Sequence, residues 1–305
     1  MKRLSKNIVP VEIQGKRCYV GVDVHKASYY VSVLAEDGAR REFSAKADPD
    51  ALLRGLLGNM GIEIIALAHE SGPTGYALAW ACQDAGIPVV VAASSRIPRP
   101  ITVAGKTDRL DCIKLADYLA KGMLQSIAIP DRDDFAFREL NRRKIRLTRS
   151  RSKLRQEIKS FLLKNAIPDL PELKRWSNEG LKILREMQLN KALRATLDLL
   201  LDELESLSLH ISKANMLLKS IACEHQKCQI ISNLQTVPGV GEVISYTFAT
   251  EIFQAQRFET KEQVSSYAGL APQVKQSGES KARSRLRSVG QKHLRCALTE
   301  GPGYG

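Results

Sequence analysis

CYVGVDVHK, residues Cys18 to Lys26, is an apolar run that stops on an acid and a histidine. Residues of that kind in that density suit a strand buried in a sheet, where Asp is disfavoured. An acid closing such a strand points to the strand ends, where α/β sheets hold their ligands. Downstream, SYYVSVLAEDG and RREFSAKA predict two more strands joined by a Gly-containing turn. DPDALLRGLLGNMG then offers an Asp cap, an apolar helical repeat and a closing Gly. IEIIALAHE predicts a buried strand, TGYALAWACQDAG a helix, IPVVVAA another strand, and KTDRLDCIKLADYLAKG an amphipathic helix closed by Gly122. Three strands followed by alternating helices and strands predict a mixed sheet covered on both faces, over residues 17–130 after a basic tail at 1–16.

The chain has 305 residues, 44% hydrophobic and 26% charged, enough for about two globular domains with proper cores. No apolar run approaches the roughly 18 residues of a membrane span. MKRLSKNIVPVEIQGKR lacks the apolar stretch of a secretory signal, so a cytoplasmic protein away from membranes is expected. Six cysteines (18, 82, 112, 223, 228 and 296) are scattered and predicted to be reduced thiols. The pair in CEHQKC, around His225, has no second pair to complete a zinc site. A formal charge of +13 and a pI near 9.5 favour a polyanionic partner, because neutralised phosphates release counterions.

Residues 131–232 read as helical. FRELNRRKIRLTRSRSKLRQEIKSFL carries Arg138, Arg142, Arg143, Lys144, Arg146, Arg149, Arg151, Lys153, Arg155 and Lys159 against only Glu139 and Glu157. Its predicted apolar seam is Leu140, Leu147, Leu154 and Phe161, and Pro168 and Pro171 end the helix. A second helix spaces Leu193, Leu197, Leu200, Leu204, Leu207, Ile211, Ala214, Leu218 and Ile221 by fours and threes, the pattern of a coiled coil or a helical hairpin. In the last region, 233–305, Gly239 and Gly241 of TVPGVGEV suggest a helix-hairpin-helix-like turn whose amides could grip phosphate, with a structural turn as the other reading. Beyond it, Ser277 stands beside Gly278 and ahead of Arg283, Arg285, Arg287, Lys292 and Arg295. On composition, that serine contacts a phosphate or attacks one.

Four acids complete the candidates. Asp23 and Glu70 close strands, while Asp108 and Asp111 sit three apart at a helix start and share a face. Brought together they would repel unless cations intervened, as in a two-metal site. Hard oxygen donors select Mg²⁺ or Mn²⁺. Singly, Asp108 could equally be a cap and Asp111 a solvated side chain. The GKT of PITVAGKT is no nucleotide loop, because Pro100 stands where that pattern needs glycine.

GVDVHK, HESGPTGY, KTDRLDCIKLA, VPGVG and YAGLAPQVKQSG…LR follow the order seen in DEDD-type insertion-sequence transposases, which the chain resembles from Tyr19 to Leu298. The resemblance implies an RNase H-like (RuvC-like) domain, a coiled-coil linker and a C-terminal transposase domain. It assigns the catalytic, metal-binding acids to Asp23, Glu70, Asp108 and Asp111, and the nucleophile to Ser277. It further implies RNA-guided recombination of DNA through serine–phosphodiester intermediates with Mg²⁺ (or Mn²⁺), a structured bridge RNA as partner, and a composite site completed by a neighbouring protomer in a homodimer or homotetramer. Arg142, Arg143, Arg146, Arg149, Arg151, Lys153 and Arg155 are then expected to contact nucleic acid, with Gly239, Gly241 and the basic residues after Ser277. The closing TEGPGYG departs from the family pattern and is read as a truncated end. The competing readings are a metal-dependent RuvC-like junction nuclease and a decayed, non-catalytic nucleic-acid binder.

Overall fold

The computed structural model describes residues 12–98, 108–168, 170–273, 285–286 and 290–300. The chain divides into two compact units, Met1–Asp131 and Arg132–Gly305.

The first unit is built on a five-stranded sheet of β1 (Arg17–Val24), β2 (Ser28–Ala35), β3 (Arg40–Lys46), β4 (Glu63–Glu70) and β5 (Val89–Ala92). The strand order is β3-β2-β1-β4-β5. β2 runs antiparallel to β1 and β3, whereas β4 lies parallel to β1 and β5 parallel to β4. One reversed strand in that order is the RNase H-like arrangement that the sequence resemblance implied. Helices α1 (Pro49–Arg54) and α2 (Ala77–Asp84) cover one face, and α3 (Asp108–Ala120) covers the other. Asp48 caps α1 by accepting from the Ala51 amide at 2.9 Å, as the Asp–Pro start suggests.

Side chains alternate along a strand, so β1 serves two surfaces. Cys18, Val20 and Val22 enter an apolar core with Val31, Val33, Leu67, Leu52, Leu56 and Leu78. Tyr19, Gly21 and Asp23 face α3 instead. At Gly21 the helix backbone nearly touches the strand: a Cβ there would lie 2.2 Å from the Cys112 carbonyl oxygen and 2.5 Å from the Ala116 nitrogen. Only glycine permits that approach. Leu115 and Leu119 of α3 then seal against Ala68 on β4.

The second unit is mostly helical. Two long helices, α4 (Arg132–Lys164) and α6 (Lys191–Glu224), pack antiparallel, with the short α5 (Asn178–Glu186) between them in sequence. One core joins Leu154, Ile158 and Leu162 of α4 to Leu184 of α5 and Leu197, Leu201 and Leu204 of α6. At the other end Phe137 meets Leu218, Ala222, Ile231 and Tyr246. Of the two seam readings the helical hairpin is the one described, and its register differs slightly from expectation. Leu201 and Ala222 are buried where Leu200 is half-buried and Ile221 exposed, because Leu201 packs in the core that holds Leu184 of α5 and Ala222 in the core that holds Ile231 of α7. Likewise Leu147 and Leu154 are buried, but Ile158 and Leu162 take the inward place expected for Phe161, which is half-buried.

Helices α7 (Cys228–Gln235), α8 (Glu242–Ile252), α9 (Lys261–Ala268) and α10 (Lys292–Glu300) complete the unit, with a two-residue hairpin of β6 (Pro272–Gln273) and β7 (Arg285–Leu286). Ile252, Ala268 and Leu294 form a small core among α8, α9 and α10. The CEHQKC segment turns from α6 into α7 and is a structural corner: buried Lys227 and His225 both pair with buried Asp134. Among the described residues no helix is long and apolar enough to cross a membrane.

Substituting Gly21→Ala should cost about 3 kcal/mol or more, the upper range for overpacking against a part that cannot yield. Urea unfolding of the variant checks this.

Candidate functional site

Register places the acids of the first unit. The parallel pairing of β1 with β4 matches Gly21 to Ala68 and Val22 to His69, so Asp23 and Glu70 are the next positions on adjacent strands. Parity puts both on the α3 side of the sheet. Asp108 is the first residue of α3, and Asp111 lies one turn on, beside the Cys112 carbonyl that meets Gly21. The carboxylates of Asp23 and Asp111 are 18% and 20% exposed, so both reach a surface without being fully solvated. His25 Nε2 is 3.1 Å from Asp23 Oδ2, and Lys114 Nζ is 3.6 Å from Asp111 Oδ1. Burial pushes the Cys112 thiol up to about 11, with the negative charges of Glu42 and Asp23 adding to the effect.

The helix α3 is pinned to β3 by two ion pairs, one in its first turn and one in its last, a signal that isolated motifs do not reveal. Arg109 donates to Glu42 on β3 at 2.6 Å, and Arg40 on β3 donates to both Asp117 and Ser32. Tyr30, Glu42, Ser44, Arg109 and Cys112 line a cavity of about 250 Å³ beside them. His69, by contrast, points into the apolar side. Its Nδ1 sits 3.0 Å from the Glu70 carbonyl, an atom that only accepts, so Nδ1 carries the proton. Burial lowers the pKa of this ring, and Nε2 is enclosed without a hydrogen-bond partner.

Oxygen donors on two neighbouring strand ends and one packed helix suit a hard divalent ion in chemistry. Among the described residues, however, no three His, Cys, Asp or Glu side chains converge into a ligand group.

The basic helix separates into two populations. Arg143, Arg146, Arg149 and Lys153 are exposed, and Arg151 is half-exposed. Arg142 differs from the expectation of a phosphate contact: it grips Glu251 of α8 through two hydrogen bonds of 2.8 Å. The Glu251 carboxylate is 0% exposed, and a buried acid demands a committed cation. Arg138, predicted only as part of the basic run, is also buried, between the rings of Phe135 and Phe253. Arg155 lies over Trp176, where burial and Arg151 lower its pKa. Gly239 turns between α7 and α8 at a φ of +85°, and Gly241 caps α8.

Ser277, Arg283 and Arg287 lie outside the described residues, between or just past β6 and β7. Arg285 is in β7, and Lys292 and Arg295 are in the first turn of α10. The excursion that carries Ser277 is closed at its base. β6 and β7 pair at Pro272 with Leu286 and Gln273 with Arg285. A Cβ on Gly290 would come within 2.5 Å of Gly269 Cα, and the Gln291 amide donates to the Tyr267 carbonyl at 2.8 Å.

Acids at the strand ends of an RNase H-like sheet, followed by a basic helical unit, agree with the DEDD transposases that the sequence resembles. Residues 20–168 match the DEDD transposase model of the IS110 group, and residues 231–302 match the transposase IS116/IS110/IS902 family model. The chain belongs to the IS110/IS116 family of insertion-sequence transposases. It is 28% identical over 289 residues to the y4qE protein of Sinorhizobium fredii, covering 93% of this chain and 71% of that one. It is 28% identical over 180 residues to the transposase of element IS1533 from Leptospira borgpetersenii, covering 57% of this chain and 52% of the relative. For the IS1111A transposase of Coxiella burnetii the figures are 24% over 218 residues, 71% and 59%. The chain thus spans between about half and seven-tenths of these relatives. A Thermus thermophilus RuvC structure matches at 13% identity, covering 36% of this chain and 99% of that one, with a TM-score of 0.27. The strand order, not that overlay, carries the fold.

Glu251→Gln would leave Arg142 with only the half-exposed Glu139 as a charge partner among the described residues and should lower stability by about 3 kcal/mol. Thermal and urea unfolding read the loss, which should exceed that of Glu139→Gln on the exposed side of the same arginine.

Proposed function

We propose that this chain is a DNA-recombining transposase that acts on DNA with a structured RNA guide. The observation that carries the reading is the placement of Asp23 and Glu70 at matched ends of β1 and β4, on the face over which glycine lets α3 bring Asp111. Asp23, Glu70, Asp108 and Asp111 would hold Mg²⁺ or Mn²⁺, which supplies positive charge for a phosphodiester whose negative charge grows during attack. One of these carboxylates would accept the proton released by the attacking group.

Ser277 is the proposed nucleophile. Its hydroxyl forms the bond to phosphorus, a deoxyribose hydroxyl leaves, and rejoining reverses the exchange on a second strand. The alcohol needs a base, and the arginines after it supply a positive field. The exposed Arg143, Arg146, Arg149 and Lys153 contact phosphates, a mode suited to a folded RNA because it reads backbone and not base edges. Two strand exchanges call for more than one protomer, so a homodimer or homotetramer is proposed.

Incubation with element-end DNA and divalent metal should yield a covalent protein–DNA adduct, visible on denaturing gels. Ser277→Ala should abolish the adduct, and Asp23→Asn should reduce its formation at least about a hundredfold, a typical cost of losing one electrostatic group. Cleavage that persists without an adduct in both wild type and Ser277→Ala would instead establish the nuclease reading. An adduct undiminished in Ser277→Ala would remove the serine from the mechanism.

A further inference from the structure

On the α3 face of the sheet, the acids belong to a longer row. Asp23 pairs with Tyr30 on β2, and Tyr30 with Ser44 on β3, while Glu70 is the position on β4 next to Asp23. Residues opposite one another project to the same face, at strand spacings of about 5 Å. Tyr30 therefore stands about 5 Å, and Ser44 about 10 Å, from the Asp23 position along the sheet. Gly21, Ser32 and Glu42 make up the neighbouring row, two residues back on β1.

The cavity of about 250 Å³ sits at the β3 end of these rows, against the start of α3. Tyr30 and Ser44 line it from the first row, Glu42 from the second, and Arg109 and Cys112 from the helix. One side chain ties it to the acids. His25 Nε2 is 3.1 Å from Asp23 Oδ2, and the His25 ring stands at 87° to the Tyr30 ring with centroids 5.9 Å apart. An edge-on neighbour of that kind favours one orientation of the tyrosine ring.

The lining decides what can enter. Glu42 is held by Arg109 at 2.6 Å, so the pair is neutral as a whole and a phosphate would meet a carboxylate there. Tyr30 and Cys112 give apolar walls, while Glu42, Ser44 and the tyrosine hydroxyl offer hydrogen bonds. The volume is about that of eight waters in the liquid, and below the roughly 300 Å³ at which pockets for drug-sized molecules begin. An uncharged planar ring with polar edges fits these limits, and an extended ligand does not.

From this juxtaposition, and resting on the reading of the acids as the site that cuts DNA, we infer that the cavity is a subsite for a single nucleobase of the DNA strand, flanking the phosphate that is attacked at the acids. Tyr30 stacks on the base, and Glu42 accepts from a donor on its edge. A base leaves its stack at a cost that is least where the strand is already unpaired or broken, and a strand cut beside the acids is broken there. The subsite then holds the loose end in line until it is rejoined. DNA is favoured over the guide RNA because the row starts at the acids, where the scissile strand lies.

Photocrosslinking of the full chain tests the subsite. 5-Iododeoxyuridine, which couples to aromatic side chains stacked on it, replaces one base at a time along an element-end DNA duplex, and mass spectrometry maps the attached residue. Tyr30 should be captured from the positions beside the cut and from none further along the strand. Ser44→Trp, which fills the cavity from an exposed position on β3, should lower that capture about tenfold while salt-sensitive DNA binding persists. Tyr30→Leu should weaken binding of nicked element-end DNA about tenfold, the usual worth of one stacked base, and Tyr30→Phe should restore most of it. Capture of Tyr30 that is absent, equal from all positions or undiminished in Ser44→Trp overturns the subsite and leaves the DNA-cutting reading standing. Capture from 5-iodouridine in RNA but not from DNA overturns the choice of DNA. Absence of salt-sensitive DNA binding overturns the underlying reading together with the inference. Should a variant fail to fold, the wild-type capture map decides alone.

Discussion

The close approach of α3 to β1 at Gly21 is the contact on which the first unit turns. A strand and a helix normally stand apart by the depth of their side chains. Here the helix backbone rests within about a Cβ radius of the strand, and that brings the Asp111 turn towards the end of β1. The same contact leaves α3 with little lateral freedom. Arg109 with Glu42 and Arg40 with Asp117 then fix its rotation from the β2–β3 side. These surface pairs are each weak. Their value lies in orienting a helix that the glycine has already seated.

Much of the sheet was legible because β1 and β4 alternate between two chemistries. Val20, Val22 and Leu67 read as core, and Asp23 and Glu70 as interruptions at strand ends, so the placement of the acids followed from parity. The role of Gly21 was not legible: a glycine inside an apolar strand is also compatible with a bulge, and only the position of α3 distinguishes the two. The helical hairpin was foreseen as one of two alternatives, since heptad spacing cannot say whether the partner helix is in the same chain. Leu197, Leu204, Ile211 and Leu218 keep the seven-residue spacing, while Leu201 and Ala222 are buried beside it through Leu184 of α5 and Ile231 of α7, neighbours that the repeat itself does not reveal.

Charge was the least transparent quantity in the sequence. The ten cations between Arg138 and Lys159 look equivalent as text, yet the fold assigns them different work. Arg142 neutralises Glu251, Arg138 is stacked between two phenylalanine rings, and Arg155 lies on Trp176. The residues left on the outside are those one face of the helix cannot bury. An acid such as Glu251, at the end of the apolar segment ISYTFATEI, was the available hint that one arginine would be consumed internally.

The 33 residues of α4 make a rod of about 50 Å at 1.5 Å per residue, and it runs without interruption between the Phe137 core and the Leu162 core, about 38 Å apart along its axis. Such a rod fixes phase as well as distance. Deleting one residue near its middle would swing one core about 100° around the axis relative to the other, whereas removing seven restores nearly the same facing. Length variation along this helix should therefore be quantised in sevens, and the two cores drift apart or together only in whole steps of that size.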